Sequence, residues 1–355
     1  IPTQNNIASS VPVQISCNIM GGTLQKNQKF AGTASLTYML QGSSVEHKTI
    51  VQFSGTVEEY NSNNITKNYS DVIVIINSNS TMSEQVGTYF ANSRKIPQIN
   101  IIKINVSRDE EINPDEFNKL RLQVENYIIN NNLQSTINYI VTTKGVPLKV
   151  KPISDVCSST NSACASVESE LTLILGPYSS NIGGNGIVFS PYYYQNAPFS
   201  RSTYGIYLVT RLDGYNFEQI KAMIDKASQT VTISNLTQFI FDQDPDWNSF
   251  LPGLNNAMAA AHSILISKGL NSTLDTTTTF LTNQSNVIGY VSWGSNDHYD
   301  NIYTQYAKPH NIWYNGAIAE TYVSTSARTF NAPPQYGQSL IADLIQEGIT
   351  GAKGY

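Results

Sequence analysis

The sequence predicts an α/β protein: a mainly parallel sheet with helices on both faces, preceded by a small N-terminal β region. Residues 1–69 contain only alternating segments that are typical of strands. From Asp71 onward, short apolar strands alternate with helical segments, which is the pattern of repeated β-α-β units. At 355 residues the chain has ample core for this architecture. We therefore expect a β region at 1–69 and an α/β domain at 70–355.

Three segments of the N-terminal region alternate between apolar and polar residues, as half-buried strands do: 11–19, 35–40 and 47–53. A turn-like stretch at 41–44 separates the last two. The run NSNNITKNYS (61–70) is rich in turn residues and is predicted to be a linker. These features predict a small sheet of three or four strands.

The α/β domain is predicted to begin with a strand, a helix and a second strand, at 72–76, 83–94 and 101–106. A helix over 114–130 follows, because its acidic first turn suits the helix dipole, and then a strand at 139–143. Residues 150–203 show little periodicity. Further strands are predicted at 205–210, 238–241, 287–292 and 317–324, and further helices at 217–227, 250–268 and 338–347. Ligands of such folds bind beyond the carboxyl ends of the strands, so polar residues there are the site candidates.

Composition argues against two classes of partner. The formal charge is −5, only 13% of residues are charged, and no basic stripe is present, which is unlike a nucleic-acid-binding protein. No apolar run approaches the roughly 20 residues that a transmembrane helix needs. The polar surface instead comes from Asn, Ser, Thr, Gln and 21 Tyr. This composition predicts a secreted or cell-surface protein.

Sequons and cysteines are compatible with an extracellular location. Two cysteines, Cys157 and Cys164, flank a short polar loop and are expected to form a disulfide in an oxidising compartment, whereas Cys17 is expected to be a small buried residue in a strand. The opening residues, IPTQ, look like a mature end after removal of a signal peptide. The chain has seven N-glycosylation sequons, about as many as chance gives in so Asn-rich a chain: Asn64, Asn68, Asn79, Asn105, Asn235, Asn271 and Asn283.

The stretch VIGYVSWGSNDHYDN (287–301) places Asn296, Asp297, His298 and Asp300 just after a predicted strand. Such residues form turns and caps, which is one interpretation. Alternatively, His298 could act as a general base. In a third interpretation, the oxygen donors of Asp297 and Asp300 could bind Ca²⁺, the one cofactor that the sequence indicates.

Three further groups follow predicted strands. The run DQDPD (242–246) begins like a calcium loop, but Trp247 and Gly253 occupy the places of the required Gly and Glu, so we predict a helix cap. Arg211 and Asp213, with Glu168 upstream, are predicted either to form a structural ion pair or to bind a substrate carboxylate.

The stretch STSART (324–329) offers Ser324 and Ser326 as nucleophiles if a base, His298 or His310, lies beside them. No G-x-S-x-G motif supports this chemistry, and hydroxyls at strand ends usually bind backbone groups.

Six motifs together resemble an uncharacterised family of mostly bacterial, apparently exported proteins. They are YIVTTKGVPL (139–148), ASVESEL (165–171), GIYLVTRLDG (205–214), GYVSWGSND (289–297), GAIAETYVSTSARTF (316–330) and GQSLIADLIQEGITGAKGY (337–355). That family has no established activity, so the resemblance implies export and no reaction. It also implies that the α/β domain continues beyond 355.

The order of elements is also similar to the catalytic domain of gingipain-type cysteine peptidases, which have a caspase-like fold. In that family one strand end carries the catalytic His and another the catalytic Cys. In this chain VSWGSND places Trp293 at the first position, and ETYVSTSARTF places Ser324, Thr325 or Ser326 at the second. The resemblance therefore implies a caspase/gingipain-like domain without the Cys/His dyad.

Two functions remain after these considerations. The favoured one is a non-catalytic binding, adhesive or structural component with a protein or glycan partner, or one that self-assembles. Its candidate binding residues lie at the predicted strand ends and upstream of them: Trp293, Asn296, Asp297, Arg211, Asp213 and Glu168. The alternative is a hydrolase in which His298 activates Ser324 or Ser326 and Asp297 orients the imidazole.

Overall fold

The computed structural model describes the backbone of 14–18, 29–39 and 46–56, and the complete residues 69–151, 165–183, 188–229, 231–234, 236–297, 308–334 and 337–355. The chain divides into two compact units, Ile1–Lys67 and Asn68–Tyr355. The first unit contains β1 (Gln14–Asn18), β2 (Lys29–Met39) and β3 (Glu46–Thr56), which pair antiparallel in that order. Cys17 lies in β1, as the sequence predicts.

The second unit contains two parallel sheets and a small mixed sheet. In the first, β4 (Val72–Asn77), β5 (Ile101–Ile104), β7 (Tyr139–Thr143) and β10 (Leu208–Leu212) have the order β10-β7-β4-β5. In the second, β11 (Gln238–Asp242), β12 (Ser272–Asp275), β13 (Val287–Ser292), β14 (Trp313–Thr321) and β15 (Gly351–Lys353) have the order β12-β11-β13-β14-β15. The small sheet consists of β6 (Glu111–Ile112), β8 (Lys149–Val150) and β9 (Ala165–Ser166).

The helices of the second unit connect and cover these strands. They are α1 (Thr81–Arg94), α2 (Pro114–Asn130), α3 (Val167–Thr172), α4 (Arg201–Tyr204), α5 (Phe217–Lys226), α6 (Pro252–Ser267) and α7 (Ile341–Gln346). Among the described residues, no helix is long and apolar enough to cross a membrane.

Helices cover both faces of the first sheet. Ile73 and Ile75 of β4 share an apolar cluster with Leu120 of α2, whereas Val74 packs on the opposite face with Ala91 of α1. All six residues of β4 are buried, as expected of a parallel strand that is covered on both faces. The predicted α/β class with mainly parallel sheets is therefore confirmed.

The second sheet is covered in the same way. Ile240 of β11 packs in a cluster with residues of α5 and α7, and its neighbour Phe241 packs on the other face with Met258 of α6. Val86 of α1 belongs to the same cluster as α5 and α7. One apolar layer thus connects the helices of the two parallel sheets.

Some predicted boundaries are wrong, and left-handed backbone explains them. A strand is predicted at 205–210, but Gly205 (φ 71°) ends α4 and β10 begins only at Leu208. The strand predicted at 317–324 runs from Trp313 to Thr321, because the pairing of β13 and β14 shifts register around Gly316 (φ 85°). The helix predicted at 338–347 begins at Ile341, after a positive φ at Ser339.

Candidate functional site at the strand ends and the cavity beside them

Trp293, the residue after β13, is part of the core. Its ring stacks on Trp247 with a centroid distance of 4.6 Å and an interplanar angle of 10°, and it meets Tyr322 edge-on at 5.4 Å. Its Nε1 donates a 2.7 Å hydrogen bond to Oδ1 of Asn255. Only 1% of Trp293 is exposed. The indole therefore has both a packed ring and a satisfied polar group.

A tight turn after Trp293 is held by side chains. Gly294 has φ 57°, and a Cβ there would lie 2.5 Å from Oγ of Ser339. The same Oγ accepts from the N–H of Ser295 at 2.8 Å. The amide of Asn296 is engaged at both ends, since its Nδ2 donates to the carbonyl of Tyr322 and its Oδ1 accepts from Gln338. Asn296, a predicted binding residue, thus connects the ends of β13 and β14.

Two buried carboxyl groups lie at the ends of β11 and β13. Oδ2 of Asp242 accepts hydrogen bonds from Oγ of Ser292 at 2.8 Å and from the N–H of Leu281 at 3.2 Å. Burial raises the pKa of Asp242 to about 6, although these hydrogen bonds oppose the shift. Burial, followed by the charge of Asp242, raises the pKa of Asp297 to about 8. Asp297 is therefore mostly protonated at neutral pH.

The metal and general-base interpretations of this stretch concern residues outside the described part of the chain. His298 and Asp300 lie there, as do Cys157 and Cys164. Within the described residues, no group of three or more His, Cys, Asp or Glu side chains could hold a metal ion. The DQDPD run, in contrast, behaves as predicted, because the side chain of Asp244 caps the short helical turn Pro245–Ser249 by accepting from the N–H of Asp246.

The hydroxyls that follow β14 differ in their surroundings. Ser324 is exposed and lines a cavity. Ser326 is fully buried, and its Oγ accepts a 3.0 Å hydrogen bond from the N–H of Tyr355. The other predicted base, His310, places Nδ1 3.0 Å from Oε1 of Glu347. Of the two predicted nucleophiles, only Ser324 has an accessible hydroxyl.

The structure brings together the predicted residues Arg211, Asp213 and Glu168. Arg211 contacts Glu168 at 2.5 Å and Asp213 at 3.3 Å. It also donates to the carbonyls of Val146 and Pro147, at 2.8 Å and 2.7 Å. Because its two terminal nitrogens already have these partners, the guanidinium holds β10, α3 and the loop after β7 together, which supports the structural interpretation.

Lys144, which the sequence analysis did not single out, completes this charged cluster. Its Nζ lies 3.1 Å from Oδ1 of Asp213 and donates to the carbonyl of Phe330 at 2.8 Å. Phe330 lies in the segment after β14, so Lys144 joins the ends of the two parallel sheets. The only sequence signal for this role is its position directly after a buried strand.

A cavity of about 750 Å³ lies beside these strand ends, between β10 and β15. Phe90, Met223 and Ile345 contribute apolar lining from α1, α5 and α7. Charged residues of the β6 and β8 region and of the segment after β14 also line the cavity, including Glu110, Lys149 and Arg328. These lining residues have no sequence signal, because β10 and β15 are far apart in the chain and only the fold brings them to one cavity.

Four of the predicted glycosylation sites lie in the described part of the second unit. The side chains of Asn79, Asn105, Asn271 and Asn283 are all exposed, while Asn64, Asn68 and Asn235 lie outside the described residues. The sites that the structure describes are therefore accessible for modification.

The chain matches no known family model, no curated protein and no solved structure.

Proposed function

We propose that this protein is a secreted or cell-surface binding protein on a caspase-like, gingipain-type scaffold without peptidase chemistry. The observation that carries the proposal is Trp293. The gingipain resemblance assigns a catalytic imidazole to this position, and here a buried indole packs on Trp247 and bonds Asn255. A core position of this kind offers no proton acceptor to a substrate.

The arrangement of the two strand ends also supports the scaffold assignment. β13 and β14 are parallel neighbours, with Ser292 opposite Thr321, so their carboxyl ends meet at one edge of the sheet. A His/Cys pair placed at these two ends would lie within reach of each other. At the second end this chain has the hydroxyls of Ser324, Thr325 and Ser326 in place of a thiol. The two strand ends that would carry a Cys/His dyad are therefore present, but the thiol and the imidazole are replaced by other side chains.

A hydrolase that uses Ser324 and His298 is the second candidate, and the exposure of Ser324 on the cavity favours it. Ser326 is a poor nucleophile in this geometry, because its hydroxyl is buried and bonded to the backbone of Tyr355.

Labelling with a fluorophosphonate probe separates the two candidates. We expect the folded protein to label no more than the heat-denatured protein. Labelling that is lost in Ser324→Ala and kept in Ser326→Ala would establish the hydrolase and overturn the binding-only proposal. A protease substrate panel at matched concentration provides the second readout, with no cleavage expected.

A further inference from the structure

We propose that the cavity between β10 and β15 binds an extended polypeptide segment of a partner protein, which adds as a strand along the open sheet edges. This inference rests on the proposed function as a binding protein and names the class of its partner. We refer to the cavity between the two strands as the edge slot.

The first edge belongs to β10, the last strand of the first sheet. Just before this strand the N–H of Tyr207 donates to the carbonyl of Thr172 at the end of α3, so the edge is open only from Val209 onward. The N–H of Leu208 donates to Asn138, and the carbonyl of Leu212 accepts from Lys144. In a parallel pair such residues alternate with residues whose backbone groups point away from the neighbour. The N–H and C=O groups of Val209 and Arg211 therefore point away from β7. Both residues line the edge slot, and among the described residues no hydrogen bond reaches their backbone from that side.

The second edge belongs to β15, the last strand of the second sheet, for which β14 is the one pairing partner among the described residues. Gly351 and Ala352 of β15 line the same cavity as Val209 and Arg211. The edge slot is thus bordered by edge strands of both parallel sheets, and the outward backbone groups of Val209 and Arg211 lie on its β10 side. An extended backbone is the ligand whose own N–H and C=O groups match such edges, as in other cases of strand addition.

The two faces of the edge slot differ in polarity, and this difference specifies the side chains of the occupant. On one face, Leu212 packs with α1 and α5, and Phe90 and Met223 line the cavity beside it. On the other face, Arg211 points toward Glu168 and the loop after β7. Successive side chains of a strand point to opposite faces. The occupant is therefore expected to alternate apolar residues with polar ones.

The polar positions of the occupant should be uncharged, because the charged groups around the polar face already have partners. Arg328 contacts Glu111 at 3.1 Å, and the carboxylate of Glu110 accepts from Oγ1 of Thr329 and from the N–H of Phe330. An added charge would have to compete with these contacts. The five residues of β10 span about 17 Å, so a strand of about five residues is sufficient.

The test uses a fluorescein-labelled probe, Lys-Thr-Val-Thr-Val-Thr-Lys, whose terminal lysines limit its self-association. Fluorescence anisotropy with the full chain should give saturable binding. The same probe with N-methyl groups on the alternate Thr residues keeps its side chains and loses backbone donors. It should bind at least about tenfold more weakly, since each lost hydrogen bond costs affinity.

Two variants, one on α5 and one directly after it, locate the binding. Ala227, the C-cap residue of α5, is exposed and lines the edge slot, whereas Ala222 is exposed within the helix and does not line it. Ala227→Trp fills the slot and should weaken probe binding at least about tenfold. Ala222→Trp should bind within about twofold of the wild type. Circular dichroism and melting curves establish that both variants are folded.

Three outcomes would contradict strand binding in the edge slot. They are no saturable binding of the intact probe, equal binding of the N-methylated probe, and equal binding by Ala227→Trp. Sedimentation velocity that shows dimers abolished by Ala227→Trp would assign the slot to a second copy of the chain instead. Mass spectrometry of the recovered probe distinguishes failure of the non-catalytic function from failure of strand binding. Cleavage of the probe would contradict the non-catalytic function. Strand binding would still be tested by the anisotropy measurements.

Discussion

At the residue scale, the contacts of a side chain distinguish core residues from site residues better than the residue type does. The gingipain resemblance would assign catalytic groups to Trp293 and to one of Ser324, Thr325 and Ser326, yet Trp293 and Ser326 both have their polar atoms engaged inside the protein. Arg211 resembles a substrate clamp in sequence, but two of its hydrogen bonds go to backbone carbonyls. Ser324 is the exception, because its side chain is exposed.

Trp293→Ala should lower the free energy of unfolding by about 4 kcal/mol, because it removes a buried ring and leaves Oδ1 of Asn255 without its donor. Urea denaturation measures this change. Trp293→Phe keeps most of the packing and should cost less. Phe250→Ala is the control, since that ring is 75% exposed, and should cost less than about 1 kcal/mol. Equal costs for Trp293→Ala and Phe250→Ala would contradict a core role for the indole.

The candidate site could be predicted from the sequence only in part, for a reason that operates at this same scale. Arg211 and Asp213 are predictable as a site candidate because they directly follow a predicted strand, and Glu168 because it is an acidic residue upstream of them. The carbonyls of Val146 and Pro147 that bind Arg211 have no sequence signal, because every residue has a carbonyl. Lys144 was missed because its partner Phe330 is remote in the chain.

At the scale of elements, local signals determine how well the boundaries are predicted. The helix predicted at 114–130 is α2, residue for residue, because Asn113 and Glu116 form a capping box around Pro114. β12 was missed, since its sequence, STLD, is short and does not alternate as a half-buried strand does. β14 was misplaced because its bulge depends on pairing with β13.

Asn113→Ala should lower the free energy of unfolding by about 1 kcal/mol. The substitution removes the acceptor for the N–H of Glu116, a 2.9 Å hydrogen bond, and breaks the capping box. Thermal and urea denaturation provide the measurement. Asn130→Ala, at the exposed last residue of the same helix, is the control and should change stability by less than about 0.5 kcal/mol. Similar losses of unfolding free energy in Asn113→Ala and Asn130→Ala would show that the capping box does not stabilise the protein.

At the scale of the whole molecule, buried carboxyl groups connect stability to pH. The pKa of Asp242 rises from 3.8 to about 6 on folding, so between about pH 4 and pH 6 the native state binds more protons than the unfolded state. The contribution of Asp242 to the free energy of unfolding therefore falls as the pH rises through this range. Asp297 extends the same decline toward pH 8, because its raised pKa is about 8.

Asp242→Asn should flatten this decline, because asparagine does not ionise. Between pH 4 and pH 6, the free energy of unfolding of the wild type should fall by about 3 kcal/mol more than that of Asp242→Asn. Urea denaturation at a series of pH values from about 4 to about 8 measures it. Asp109→Asn, which replaces an exposed carboxylate, should leave the wild-type pH dependence unchanged. Equal pH dependence of the wild type and Asp242→Asn between pH 4 and pH 6 would contradict the raised pKa of this buried carboxyl group.

The placement of the open strands also affects solubility. Long exposed edge strands normally invite edge-to-edge aggregation between folded molecules. The outer edges of the two parallel sheets, β5 and β12, are only four residues long, and β5 carries Lys103 in an ion pair with Glu84. The other two edges, β10 and β15, open on a cavity of about 750 Å³, which is too small to admit a second folded sheet with its helices. The two parallel sheets therefore resist edge-to-edge pairing with folded copies of the chain, while β10 and β15 border a space that a single extended chain can enter.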